Sequence, residues 1–167
     1  MAMKIAFFGT PDFTVDFLDT LKKSGFCPSL VITNGDRPVG RGMVLTSPLP
    51  KKWADENTVK VLQPEKLNDE IFEELSKESW DLFVVIAYGK IIPERIINLP
   101  KFGTINLHYS LLPKYRGATP VESAILHGEQ TSGITIQKMR FRLDTGPIIF
   151  QEEVPIEISD TTITLRE

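Results

Sequence analysis

At 167 residues, with 41% hydrophobic and 25% charged content, the chain has the composition of an ordinary globular domain and the length for one core. A formal net charge of -3 and a pI near 5.5 give no overall pull toward nucleic acid, so any such contact must be local. Cys27, the only cysteine, excludes an internal disulfide and a cysteine-cluster metal site, and no apolar run approaches the roughly 20 residues of a membrane span.

From the start of the chain, short apolar runs alternate with helical patterns. KIAFFG (4–9) reads as a strand, and the helix after it spans 13–24, with Phe17, Leu18 and Leu21 on one face and Gly25 as its stop. Cys27 is expected as a small apolar residue near the next strand, SLVIT (29–33). The glycines of NGDRPVGRG (34–42) suggest a long, mobile loop. VKVLQ (59–63) and DLFVVIA (81–87) are further strands, separated by a helix that Asn68 caps and that carries Ile71, Phe72 and Leu75. Phe83 to Ile86 are apolar on both faces, as in a strand covered by helices on both sides.

GTINLH (103–108) follows as a strand, and TPVE then sets Thr119 as N-cap, Pro120 at the first helical position and Glu122 at the third, a capping box. From 133 the pattern changes to GITIQKM (133–139) and GPIIFQEEVPI (146–156), joined by RFRLDT, which predicts an antiparallel hairpin with a bulged or longer loop. SDTTITLRE (159–167) begins like a helix capped by Ser159 or Asp160 and stops, so either the helix is very short or the chain is a fragment of something longer, the second being favoured. The expected fold is therefore α/β, a doubly wound, mostly parallel sheet with a C-terminal antiparallel edge hairpin, in a single domain over 1–167.

Ligands of such sheets gather beyond the carboxyl ends of the strands, where strand order reverses. Four polar or glycine-bearing loops leave strand ends: 9–13, 34–42, 87–93 and 108–117. The first lacks G-x-G-x-x-G and the second lacks Gly-Lys-Ser/Thr, so neither NAD nor ATP is indicated. Asn106 and His108, two apart on a strand, project together at its end. The asparagine amide can donate to a carbonyl oxygen that gains negative charge, and the imidazole can donate to it or move a proton. Asp144 in RLDTG is the candidate partner of the histidine.

A lone asparagine or histidine at a strand end is more often a turn residue than a catalyst, and Asp-Thr-Gly is a common hairpin corner, so on residue types alone both readings stand. An aspartic protease is excluded because its two carboxylates come from two equivalent lobes, and one such motif occurs here. His127, before Gly128, reads as a polar residue at a helix C-terminus. Arg37 and Arg41 suit a phosphate. AYGKIIP is able to wall a flat apolar ligand, although for Ile91 and Ile92 a core position is the stronger reading.

Taken together, FFGTPDF, DRPVGRG, VLQPEKL, VVIAYGKIIP, INLHYSLLPKYRGATPV, SGITIQKM and LDTGPII resemble the catalytic domain of the methionyl-tRNA formyltransferases, within the larger group of 10-formyltetrahydrofolate-dependent transferases. The resemblance covers nearly the whole chain and implies a Rossmann-like formyltransferase fold. It implies Asn106, His108 and Asp144 as the catalytic set. Ser110, Leu111, Leu112 and Pro113, with Tyr88, Gly89, Ile91 and Leu143, would hold the folate, and Arg37 and Arg41 would meet the tRNA.

The implied reaction is transfer of the formyl group of 10-formyltetrahydrofolate to the amino group of methionyl-tRNA, with no metal, by a cytoplasmic monomer. Related alternatives are a formyltransferase acting on a small amine such as an amino sugar nucleotide, and a weakly active folate- or tRNA-binding fragment. Tyr109 stands where the family usually has glycine, and it would crowd the folate pocket unless its ring turns away. The resemblance implies that full-length members carry a further C-terminal β-barrel domain, which is expected to be absent from this chain.

Overall fold

The computed structural model describes residues 3–166. They gather into two compact units that divide between Thr104 and Ile105.

The first unit runs β1 (Ile5–Gly9), α1 (Thr14–Lys23), β2 (Leu30–Ile32), β3 (Arg37–Val39), β4 (Val44–Thr46), α2 (Leu49–Glu56), β5 (Lys60–Leu62), α3 (Asp69–Ser76), β6 (Leu82–Ile86) and α4 (Glu94–Ile97). Four strands are parallel in the order β5-β2-β1-β6, with Phe7 beside Val31 on one side and Val84 on the other. Every residue of β1 and β2 is buried, so both faces of these strands are covered, as the continuous apolar runs require. Phe7, Phe8 and Phe83 are fully buried, and each such ring contributes roughly 1.5–3 kcal/mol by leaving water.

The chain steps from β1 outward to β2 and β5, then returns to the other side of β1 as β6, so strand order reverses between β1 and β6. Gly9 ends β1 at this point because a Cβ there would lie 2.5 Å from the Phe7 ring and 3.1 Å from the Ile86 carbonyl. Its neighbour Thr10 ties three loops together: the Thr10 hydroxyl donates to the Tyr88 carbonyl (3.3 Å) and accepts from the Asn34 amide (3.3 Å).

Helix α1 has Asp16 in its first turn and Lys22 and Lys23 in its last, matching the helix dipole, and Gly25 at φ 82 follows it. Asn68 caps α3 as its position suggests, accepting from the Ile71 amide at 3.2 Å.

Three expectations in this unit are corrected, and one element is added. The 34–42 segment is no plain loop but enters a hairpin, β3 pairing antiparallel with β4 from Arg37 opposite Thr46 to Val39 opposite Val44. Helix α2 has no counterpart among the elements expected from the sequence; Pro50 lies in its first turn, and Trp53 anchors it by donating from Nε1 to Asp19 (2.7 Å). Cys27 is exposed rather than apolar filling, and of the two isoleucines Ile92 is buried while Ile91 is 82% exposed.

The second unit is entered along β7 (Thr104–His108) and continues with α5 (Pro120–Leu126), β8 (Thr131–Lys138), β9 (Ile148–Pro155) and a 3₁₀ turn at Thr164–Arg166. β7 pairs antiparallel with β8, which pairs antiparallel with β9; the connection at 139–147 is the longer loop of the two expected forms, and a register shift at Ile136/Gln137 adds a bulge within the paired strands. Helix α5 begins where Thr119 and Pro120 place it, but the capping box does not form. The Thr119 side chain makes no capping bond, and Glu122 turns instead to Arg166. The C-terminal helix is reduced to the 3₁₀ turn, whose first turn is closed by Thr161 and Asp160 rather than by Ser159.

Candidate functional site

Antiparallel pairing sets Asn106 opposite Gln137 and His108 opposite Thr135, so four polar side chains share one face of β7 and β8. His108 is buried, and its Nε2 lies 2.8 Å from the Tyr115 carbonyl. A carbonyl only accepts, so Nε2 carries the proton and the lone pair of the neutral ring sits on Nδ1. Nδ1 is 3.8 Å from Asp144 Oδ2, too far for a hydrogen bond but close enough for an ion pair once the ring takes up a second proton. The Asn106 side chain is half-buried and makes no hydrogen bond among the described residues, which leaves its amide free to donate outward.

Asp144 is held on both oxygens. Gly117 N–H donates to Oδ2 (2.9 Å), and Gln137 Nε2 donates to Oδ1 (2.8 Å). Its backbone lies in the left-handed region, at φ 47, which costs an aspartate less than most residues. Two residues on, a Cβ at Gly146 would fall 1.7 Å from the Lys138 carbonyl, so the corner admits only glycine.

The Ser110-Leu111-Leu112-Pro113 turn is built from the same strand pair. Thr135 Oγ1 donates to the Ser110 carbonyl (2.6 Å) and accepts from the Leu112 amide (3.1 Å) and from Gln151 Nε2 (2.8 Å). Gln151 also donates to the Leu112 carbonyl (3.0 Å), and Ser110 Oγ donates to the Lys114 carbonyl (2.6 Å). Ser110 and Leu112 are buried, whereas Leu111 is half-buried and Pro113, after a cis peptide bond, is exposed. Tyr109 is half-buried.

Beyond the turn, Tyr115 is anchored at its far end, its hydroxyl donating to Glu129 (2.6 Å), to which Lys114 also pairs (3.1 Å). The Tyr115 bond, with Lys114 second, holds the Glu129 carboxyl below the usual range, and the same bond pushes the Tyr115 hydroxyl up. His127 caps α5, its Nδ1 2.7 Å from the Ser123 carbonyl.

In the first unit, Tyr88 is 2% exposed with its ring edge-on to Phe8 at 5.5 Å; burial pushes its hydroxyl up to about 12, and that oxygen has no hydrogen-bond partner among the described residues. Gly89 (φ 79) and Ile91 are exposed at the same strand end, and Leu143, in the other unit, is 67% exposed.

Arg37 opens β3 and Arg41 lies in the β3–β4 turn, both exposed. A cavity of about 310 Å³ is lined by Gly35, Asp36, Arg37, Gln63, Glu65 and Lys90. Asp36 sits at the base of the hairpin, where hydrogen bonds from Gln63, Lys51 and Ser47 hold its carboxyl down to about 2.

Asn106, His108, Asp144 and the Ser110 to Pro113 turn therefore come together within one unit. Sequence reasoning missed Gln137, Thr135, Gln151 and the Tyr115 carbonyl. The alternation of GITIQKM opposite TINLH was the available signal for the first two. Among the described residues, no group of three or more His, Cys, Asp or Glu side chains is arranged to hold a metal ion, and no helix is long and apolar enough to cross a membrane.

Residues 3–167 match the formyl transferase family. A methionyl-tRNA formyltransferase from Caldicellulosiruptor saccharolyticus is 47% identical over 99% of this chain and 54% of its own length, and one from Macrococcus caseolyticus is 49% identical over 98% and 53%. The chain thus spans about half the length of the curated relatives it matches. Among solved structures, phosphoribosylglycinamide formyltransferase from Bacillus halodurans aligns with a TM-score of 0.78 at 26% identity, over 98% of this chain and 85% of that one. WlaRD, a sugar 3N-formyl transferase solved in the presence of dTDP and 5-N-formyl-THF, aligns with a TM-score of 0.70 at 28% identity, over 99% of this chain and 57% of that one.

Proposed function

The chain belongs to the formyl transferase family, and from that premise we propose that it transfers the formyl group of 10-formyltetrahydrofolate to the amino group of methionyl-tRNA in the cytoplasm, as a monomer and as the catalytic domain of the reaction. The observation that carries this reading is the His108–Asp144 pair, 3.8 Å apart, beside the unengaged Asn106 amide. The identity of 47% and 49% to methionyl-tRNA formyltransferases favours this acceptor over others.

In this reading the amine nitrogen attacks the formyl carbon while the Asn106 amide donates to the oxygen that becomes negative. The lone pair on His108 Nδ1 takes the proton that the amine must lose, and the Asp144 carboxylate stabilises the imidazolium so formed. As the carbon–nitrogen bond to the folate breaks, that proton passes to the leaving nitrogen. The Tyr115 carbonyl keeps Nε2 protonated throughout, so only Nδ1 exchanges protons. The Ser110 to Pro113 turn, with Leu143, is assigned to the folate, and Arg37 and Arg41 to phosphates of the tRNA.

A second reading, transfer to an amino sugar nucleotide, draws on the likeness to the sugar 3N-formyl transferase. The test is an assay with 10-formyltetrahydrofolate and a panel of methionyl-tRNA, an amino sugar nucleotide and glycinamide ribonucleotide. Formylation of methionyl-tRNA alone is expected; formylation of a small amine with none of the tRNA overturns the proposal.

A further inference from the structure

We propose that Gln137 is a positioning residue for the reaction, fixing the Asp144 carboxylate at its distance from His108. Gln137 lies on the β8 side of the register shift, directly opposite Asn106, and is only 2% exposed. A glutamine amide in the interior must satisfy both a donor and an acceptor. Gln137 uses both on the corner that carries Asp144: Nε2 donates to Asp144 Oδ1 (2.8 Å), and Oε1 accepts from Gly146 N–H (3.2 Å). With Gly117 N–H on the other oxygen, the amide leaves the carboxylate no freedom to rotate.

The chemistry of the amide suits the task. A lysine or arginine would neutralise the charge that the His108 imidazolium needs, whereas an amide orients the carboxylate and leaves the charge in place. The β8–β9 register passes from Ile136 opposite Phe150 to Gln137 opposite Ile148, so Ile149 is the extra residue. Such bulges characteristically re-aim a side chain beside a site.

This inference rests on the formyl-transfer reading, and two measurements keep the two apart. The first is a double-mutant cycle in the full chain. Gln137→Met keeps the length and removes both polar groups; it is expected to lower kcat about tenfold while the KM for the folate changes less than about twofold. In an Asp144→Asn background the same substitution is expected to cost less than about twofold, because its effect passes through Asp144. An equal loss in both backgrounds, or an unchanged kcat, overturns the proposal.

The second measurement needs no catalysis. Amide hydrogen exchange at Gly146 is expected to quicken in Gln137→Met and to stay slow in Gln137→Glu, which retains the acceptor but sets a like charge against Asp144 and is expected to lose kcat about tenfold or more. Unchanged exchange at Gly146 in the methionine variant overturns the clamp whatever the reaction. Absence of transfer by the unsubstituted chain to every acceptor in the panel, with the exchange behaving as expected, overturns the formyl-transfer reading alone. If the methionine variant does not fold, the glutamate variant decides, and wild-type kcat there counts against the proposal.

Discussion

The 108–117 and 140–146 segments, and the hairpin from Arg37 to Thr46, all carry residues that the sequence marks as functional, yet they are held in opposite ways. Around His108 and Asp144 hydrogen bonds link side chains and backbone across several segments: Tyr115 to His108, Gly117 and Gln137 to Asp144, and Thr135 and Gln151 to the Ser110 to Pro113 turn. The hairpin is exposed along both strands and is fastened at its base through Asp36. Groups that meet reacting atoms must be held to within a fraction of an ångström, whereas cations that meet phosphates act through charge and tolerate looser placement.

The largest effect is expected at the carboxylate. Asp144→Asn is expected to lower kcat for formyl transfer by about 100-fold or more with the fold retained, read by steady-state kinetics and circular dichroism. Next is the turn: Thr135→Val strands the Leu112 amide and the Ser110 carbonyl in the interior and is expected to cost about 2–4 kcal/mol of stability in denaturant unfolding, with a raised KM for the folate.

On the hairpin, Arg37→Ala and Arg41→Ala are each expected to raise the KM for tRNA a few-fold, more at low salt, while leaving kcat and thermal stability in place. A loss of kcat instead would put the hairpin among the rigid parts.

The smallest effects lie in the acid tethers. Glu129 is depressed in the folded state, so its contribution is complete above the ordinary glutamate value of 4.5 and is lost as pH falls through the lower folded value. Asp36 follows the same sign, its contribution fading as pH falls from 3.8 through about 2. Glu129→Gln is expected to remove the first decline from a plot of melting temperature against pH and Asp36→Asn the second. Identical acid profiles for all three proteins would show that neither tether works through its charge.

The parallel strands were legible because a strand buried on both faces needs an unbroken apolar run, and Phe83 to Ile86 has one. Asn106 and His108 were legible as a pair for a similar reason, since alternation alone puts them on one face. The β3–β4 hairpin was not, because Arg-Pro-Val with exposed neighbours lacks the alternation that marks a half-buried strand. Glu122 sat at the right spacing for a capping box, but a tertiary partner, Arg166, took it.

Gln137 was hidden because a polar residue in a strand reads as solvent-facing until the register sets which face is inside. The Tyr115 carbonyl leaves no mark in the sequence at all, since every residue except proline offers the same backbone groups. Asp144, read from the sequence as the partner of the histidine, faces Nδ1 across 3.8 Å, while that carbonyl holds the ring through Nε2.

The most direct test of this mechanism is the rate of formyl transfer from 10-formyltetrahydrofolate to methionyl-tRNA by His108→Ala in the full chain, alongside its circular dichroism. Loss of about 1,000-fold or more in rate with the spectrum unchanged is expected; transfer at close to the unsubstituted rate would contradict a proton-transferring role for His108.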